Sequence, residues 1–336
     1  MRKSLLIIAA LPLLIGACSS GTATSTSSSA AAPASSAAAV SFAGKKVVYI
    51  QGMSGIPFYQ TVACGAQELA TANGIDFSYQ GADTWDVAKQ TSIVDAVVAG
   101  KADAIMISVT DTKAMQAPLK KARDAGIPII GIDDVTEDPS IMVSYIQSNN
   151  IEGGKLAGQA MGKLLNGKGE VLVLNNEPGT PIGDARVDGF KQGLAEFPGI
   201  KVLGVQYSHN DPAKAASIVS TTFASNPNMN GVFGVTTNNT QGAITGVKEA
   251  GATGTIKVTG YDTSDPIVKG LRDKTVHAVL VQYPFGEGIQ GVQTAMDVWS
   301  GKTVKPHQTS PFVIATPDNV DSPEVQKYIY KLKCSK

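Results

Sequence analysis

The chain has 336 residues, more than one hydrophobic core usually supports, so two domains are expected. With 43% hydrophobic and 17% charged residues, its composition is that of a lightly charged soluble globular protein. Lys plus Arg (28) balance Asp plus Glu (28) and no long run of one sign occurs, which excludes the basic footprint of a nucleic-acid binder.

The chain begins Met1-Arg2-Lys3, followed by a short apolar run from Leu5 to Ile15 and then Gly16-Ala17-Cys18. An apolar run of this length reads as a signal-peptide core, too short for a stable bilayer span. Small residues before a cysteine resemble the lipobox of bacterial lipoproteins, which makes Cys18 the candidate lipidation site. An ordinary secretory signal is the other reading, and both imply export. From Ser19 to about Ser41 the chain is nearly all Ser, Ala, Thr and Gly. Such a segment has little apolar surface to bury and is expected to be a disordered tether. The only other cysteines are Cys64 and Cys334. In an oxidising compartment they could pair, pinning the C-terminal tail to the first helix, or remain two separate thiols.

From residue 45 onward, short β-rich apolar runs alternate with helical stretches. Residues 45–50 read as a strand, with a helix after Pro57. Residues 75–79 form the next strand, and Val87, Ile93, Val94, Val97 and Val98 give the following helix an apolar stripe. Strands at 103–109 and 127–132 flank a helix ending near Ala125. Runs rich in Val and Ile without in–out alternation suit parallel strands buried on both faces. After Ser148-Asn149-Asn150 the pattern restarts. Helices over 151–165 and 186–197 alternate with strands at 170–175, 200–207, 231–235, 256–261 and 276–282. The fold class is therefore α/β, with two similar doubly wound parallel-sheet lobes.

Enzyme signatures are scarce. His209, His277 and His307 have no metal-ligand spacing, and neither a nucleophile elbow nor a phosphate-binding loop occurs. Gly286-Glu287-Gly288-Ile289-Gln290-Gly291 fits a dinucleotide fingerprint. Too little chain follows it for the second half of a nucleotide domain, so helix packing is the better explanation. No catalytic residue, metal or cofactor is expected.

Open α/β sheets bind ligands outside the C-terminal ends of their strands. Those ends carry Phe58 and Tyr59, Ser108, Thr110-Asp111, Asp133-Asp134, Asn175-Asn176, Asn210-Asp211, Thr236-Thr237, Tyr261-Asp262 and Gln282. Any one of these can be a helix cap; their recurrence on nearly every strand suggests a site. Carboxylates, amides and one arginine hydrogen-bond hydroxyls, and aromatic faces cover C–H surfaces. Arg186 alone is too little basic charge for an anion pocket.

From about Lys45 to Phe312 the chain resembles the type I periplasmic binding proteins of the ribose/galactose-binding group. The resemblance rests on Pro57-Phe58-Tyr59, on Ile107-Ser108-Val109-Thr110-Asp111 and on Gly131-Ile132-Asp133-Asp134. It continues through Ser148-Asn149-Asn150 with Gly153-Gly154, Arg186-Val187-Asp188-Gly189-Phe190, Gly260-Tyr261-Asp262 and Gln282. It implies two lobes joined by a three-segment hinge near Gln147, Gln282 and Phe312. The candidate ligand residues are Phe58, Tyr59, Trp85, Ser108, Asp133, Asp134, Arg186, Asn210, Thr236, Tyr261, Asp262 and Gln282. The implied layout is a signal peptide over 1–17 and a lipidated Cys with tether over 18–43. The first lobe takes 44–147 plus 283–312, and the second takes 148–282 plus 313–336.

Departures from the group's pattern bear on the ligand. Asp134 stands where ribose binders place Arg, Asn210 where they place an aromatic, and Thr236 and Ser108 where they place Asn. Ile56 replaces the Asn before the Pro. Ribose itself is thus not expected; another neutral sugar or a sugar alcohol fits better. Trp85 either replaces the lost stacking ring or packs the lobe. The resemblance implies a monomeric receptor delivering its solute to an ABC permease, exported and lipid-anchored at the outer face of the cell membrane, or periplasmic. Membrane attachment would be through the lipid alone. The alternative is a signalling receptor for a furanone-like autoinducer or a chemoreceptor-coupled sugar sensor. A nucleoside receptor would want aromatic sandwiching from both lobes, which Asn210 argues against.

Overall fold

The computed structural model describes residues 40–334; the signal segment, Cys18 and nearly all of the proposed tether lie outside the described residues. The elements begin β1 (Lys46–Gln51), α1 (Pro57–Ala72), β2 (Asp76–Gly81), α2 (Val87–Ala99), β3 (Ala104–Ile107) and α3 (Gln116–Asp124). Next come β4 (Ile129–Ile132), β5 (Ser144–Ser148), α4 (Asn150–Leu164), β6 (Lys168–Asn175), α5 (Pro181–Leu194) and β7 (Gly199–Tyr207). They continue as α6 (Pro212–Ser225), β8 (Met229–Gly234), α7 (Thr237–Glu249), β9 (Lys257–Tyr261), α8 (Asp265–Arg272) and β10 (Ala278–Gln282). The last are α9 (Pro284–Trp299), β11 (His307–Ser310), β12 (Phe312–Ala315) and α10 (Pro323–Gln326).

Two six-stranded sheets result, ordered β11-β5-β4-β3-β1-β2 and β12-β10-β9-β8-β6-β7. Apart from the last-added strand, both follow the doubly wound order 2-1-3-4-5, in which the crevice lies where strand order reverses. Central strands β3 and β4 are buried at every residue, as expected for runs without in–out alternation. Edge strand β2 buries only Phe77. Three strands were not expected from the sequence: β5 and β11 carry no apolar run, and the apolar run of β12 is only the four residues Phe312–Ala315. β5 adds beside β4, and the crossings bring β11 and β12 to the sheet edges, β11 parallel to β5 and β12 antiparallel to β10. The second sheet is thus not wholly parallel.

The chain passes between sheets at Asn149, Tyr283 and Pro311, between β5 and α4, β10 and α9, and β11 and β12. Past α10 it turns back. Cys334 is disulfide-bonded to Cys64 of α1, with Cα atoms 4.9 Å apart. The tail expected with the second lobe therefore ends on the first.

Glycines set the helix packing behind both halves of the cleft. A Cβ on Gly154 would strike the Arg186 carbonyl, and one on Gly189 that of Ile151, so α4 and α5 touch backbone to backbone. On the other side, Gly288 of α9 has no room for a side chain against Val62 of α1. Of the apparent dinucleotide fingerprint, Gly288 thus belongs to a helix seam, while Gly291 packs against Met106 of β3 and Gly286 against Tyr283. Among the described residues, no helix is long and apolar enough to cross a membrane, and no group of three or more His, Cys, Asp or Glu could hold a metal.

Candidate functional site

A cavity of about 360 Å³ opens between the C-terminal ends of the two sheets. Phe58, Tyr59, Trp85, Asp133 and Asp134 line it from the first sheet's side, and Arg186, Asn210, Thr236, Asp262 and Gln282 from the second's. This size falls within the range of small-ligand sites.

Arg186 sits one turn into α5, where the glycine seam brings α4 close. Its Nε donates to Asn150 Oδ1 (2.8 Å) and Nη1 to the Val235 carbonyl (2.9 Å). The guanidinium also lies over the Tyr261 ring at 4.1 Å. Stacked and doubly bonded, its planar fork has a single orientation. It is only 2% exposed, and Nη2 has no protein partner. A buried donor without a partner costs about 1–3 kcal/mol, which a ligand acceptor would recover.

Asp133 and Asp262 occupy matched places, each directly after the fourth strand of its doubly wound unit. Both adopt left-handed backbone conformations, φ 61° and 67°. Such residues cost of order 1 kcal/mol and concentrate at functional sites. The turn carries each carboxylate out of the sheet plane into the cavity. Asp262 is fully engaged: Oδ2 accepts from Thr237 Oγ1 (3.1 Å), and Oδ1 from Gln282 Nε2 (3.0 Å) and Tyr330 OH (2.7 Å). Asp133 is not. Its backbone carbonyl accepts from Gln147 Nε2 (2.8 Å), but its Oδ1 is buried without a partner. Burial raises its pKa, Arg186 offsets part of that, and Asp262 adds to it, leaving it at about 6. Asp134 is pushed well up by burial and by the charge of Asp133.

The aromatic wall is a right-angled pair, Phe58 and Tyr59, with ring centroids 5.4 Å apart. Trp85 lines the cavity and also packs against the hydrophobic core. Some polar strand-end residues also cap helices: Thr236 accepts from Asn239 N, and Asp211 from Ala213 N and Lys214 N.

Two expected ligand residues do not line the cavity. Ser108 is fully buried and hydrogen-bonded to Tyr49 OH (2.9 Å), and Tyr261 lies beneath Arg186 with its OH toward the Asn150 carbonyl (3.4 Å). Both support the wall from behind, because side chains next to a strand end alternate between faces. Conversely, Thr110, Asp111, Asn176 and Thr237, recognised as strand-end residues but not chosen as ligand candidates, do line the cavity. So does the loop Glu177–Thr180 ahead of α5. Pro178-Gly179 marks that loop in the sequence as a turn but says nothing of its direction. Tyr330, from the tail, was not anticipated at all.

Comparison with known proteins agrees with this layout. A chain from Agrobacterium vitis, an ABC transporter solute-binding protein bound with α-D-tagatopyranose, is 36% identical and superposes with a TM-score of 0.83. The match covers 85% of this chain and 99% of that one. A carbohydrate transporter solute-binding protein from Agrobacterium radiobacter, in complex with D-arabinose, is 28% identical with a TM-score of 0.80. That match covers 86% of this chain and all of the other. The D-ribose/D-allose-binding protein of Pseudomonas aeruginosa is 29% identical over 268 residues, 78% of this chain and 81% of that protein. The periplasmic binding protein domain matches residues 47–303. The chain belongs to the periplasmic binding protein domain family.

Proposed function

We infer that this protein is an extracytoplasmic receptor that closes on a neutral sugar or sugar alcohol and delivers it to an ABC permease. The observation that carries this is the set of unpartnered buried atoms around one cavity: Asp133 Oδ1, Asn176 Oδ1, Arg186 Nη2 and Gln282 Oε1. Three acceptors and a donor, drawn from both lobes, fit the mixed donor–acceptor character of vicinal hydroxyls. Phe58, Tyr59 and Trp85 offer faces for the C–H side of such a ligand. The sugars bound by the similar proteins belong to the same chemical class.

Closure follows from differential affinity. A solute touching Asp133 of one lobe and Arg186 of the other binds the closed arrangement better, and that difference alone shifts the population. Hinge closure in periplasmic binding proteins is one of the well-known domain motions. The leader with Cys18 supports export and lipid attachment, with the Ser/Ala-rich segment as tether and the receptor acting as a monomer at the membrane surface. Thermal-shift measurement over pentoses, hexoses, tetritols, pentitols and hexitols tests the proposal. One or a few should raise Tm in a saturable way, since a ligand specific for the folded state stabilises it. A flat response across the panel would refute the sugar/polyol reading.

A further inference from the structure

We propose that the C-terminal tail is a disulfide-anchored clasp across the two lobes, and that Tyr330 within it is a positioning residue for the ligand carboxylate Asp262. Three contacts pin the tail along one flank of α1. The Tyr330 ring meets Phe58 edge-on at 5.9 Å, Lys331 N donates to Thr61 Oγ1 (2.7 Å), and Cys334 is bonded to Cys64. Positions 58, 61 and 64 fall on successive turns of the helix, so the tail runs alongside it in the same direction.

From this anchorage Tyr330 reaches the other lobe. Its OH donates to Asp262 Oδ1 (2.7 Å) and its backbone N–H to Thr263 Oγ1 (3.0 Å). One buried side chain thus touches a cavity aromatic of the first lobe and a cavity carboxylate of the second. Tyr330 lies four positions before Cys334, a reach of about 13–14 Å even when fully extended. Tyr330 therefore cannot follow the second lobe far from α1, and wide opening must break its bond to Asp262. By occupying Oδ1 together with Gln282, it also leaves the Asp262 carboxylate in one orientation.

The clasp's effect on affinity rests on the cleft being the sugar site; its effect on lobe opening does not. Affinity is measured by calorimetry with whichever of D-tagatose, D-arabinose, D-allose and xylitol stabilises the wild type most. Tyr330→Phe keeps the ring contact with Phe58 and removes only the donor. It is expected to weaken binding about fivefold in the wild-type background and less than about twofold in an Asp262→Asn background. Equal factors in both backgrounds would show a merely structural tyrosine and overturn the positioning role. Small-angle scattering of the sugar-free protein is the second readout. Tyr330→Phe and the double variant Cys64→Ser/Cys334→Ser should both give a larger radius of gyration than the oxidised wild type; unchanged radii in both overturn the clasp. If the wild type binds none of the sugars, the cleft reading fails and scattering still decides the clasp. If it binds and Tyr330→Phe binds equally well, only the positioning role fails.

Discussion

Asp133 and Asp262 stand at the same place in two copies of one topology and share a left-handed backbone, yet their surroundings differ. The second lobe supplies Asp262 with Thr237 and Gln282, and the tail adds Tyr330. The first lobe leaves a buried oxygen of Asp133 bare and its pKa raised to about 6. One carboxylate is preorganised by protein hydrogen bonds; in the proposed function the other would be completed by ligand. On that proposal, the lobe holding Arg186 and Asp262 presents a fixed half-site, and closure would bring a responsive half-site against it.

The largest expected effect tests what the two acids share. Arg186→Ala removes the buried cation facing both, and should abolish measurable sugar binding by calorimetry while destabilising the protein by about 3–5 kcal/mol in denaturant unfolding. Near-normal binding by that variant would mean that the guanidinium does not face the ligand. Next, the acids should separate. Asp262→Ala strands three donors and is expected to lose about 2–3 kcal/mol of stability as well as affinity. Asp133→Ala should weaken binding at least about tenfold, or 1.4 kcal/mol, with the Tm of the empty protein nearly unchanged or higher. Matching Tm losses in the two variants would erase the distinction between fixed and responsive halves.

A pH effect follows from Asp133. Ionised carboxylate is the better acceptor for hydroxyls, so affinity should rise with pH through about 6 and then level, with about tenfold weaker binding at pH 5 than at the plateau. The stability of the empty protein should move oppositely. A carboxyl whose folded pKa is raised stabilises the fold below its ordinary value, and that contribution is lost as pH rises from about 4 to about 6. Asp133→Asn should flatten both profiles if this group dominates over Asp134. The smallest effect concerns Trp85, partly committed to core packing: Trp85→Ala should weaken binding only several-fold and lower Tm modestly.

Much of this was legible along the chain because strand ends and helix starts carry local signals. Runs such as Ile129–Ile132 mark central strands, and the acid pair that follows marks a sheet end. What was not legible depended on facing or on distance. Ser108 and Tyr261 lie beside residues that line the cavity but face the other way, and alternation near a turn cannot be phased without the backbone. Strands β5, β11 and β12 are short, and β11 and β12 reach their sheet edges only because the hinge crossings bring them there. Tyr330 lies 68 residues from Asp262 in a tail without a motif; Cys334 was the only hint that the tail returns to α1.

The most direct measurement is a crystal structure of the protein with the sugar that raises its Tm most. The ligand should span the cleft, with hydroxyl groups within hydrogen-bond distance of Asp133 Oδ1 and Arg186 Nη2 and a C–H face on Phe58, Tyr59 or Trp85. A sugar bound elsewhere, or held by one lobe while those two atoms stay unpartnered, would contradict the two-sided site.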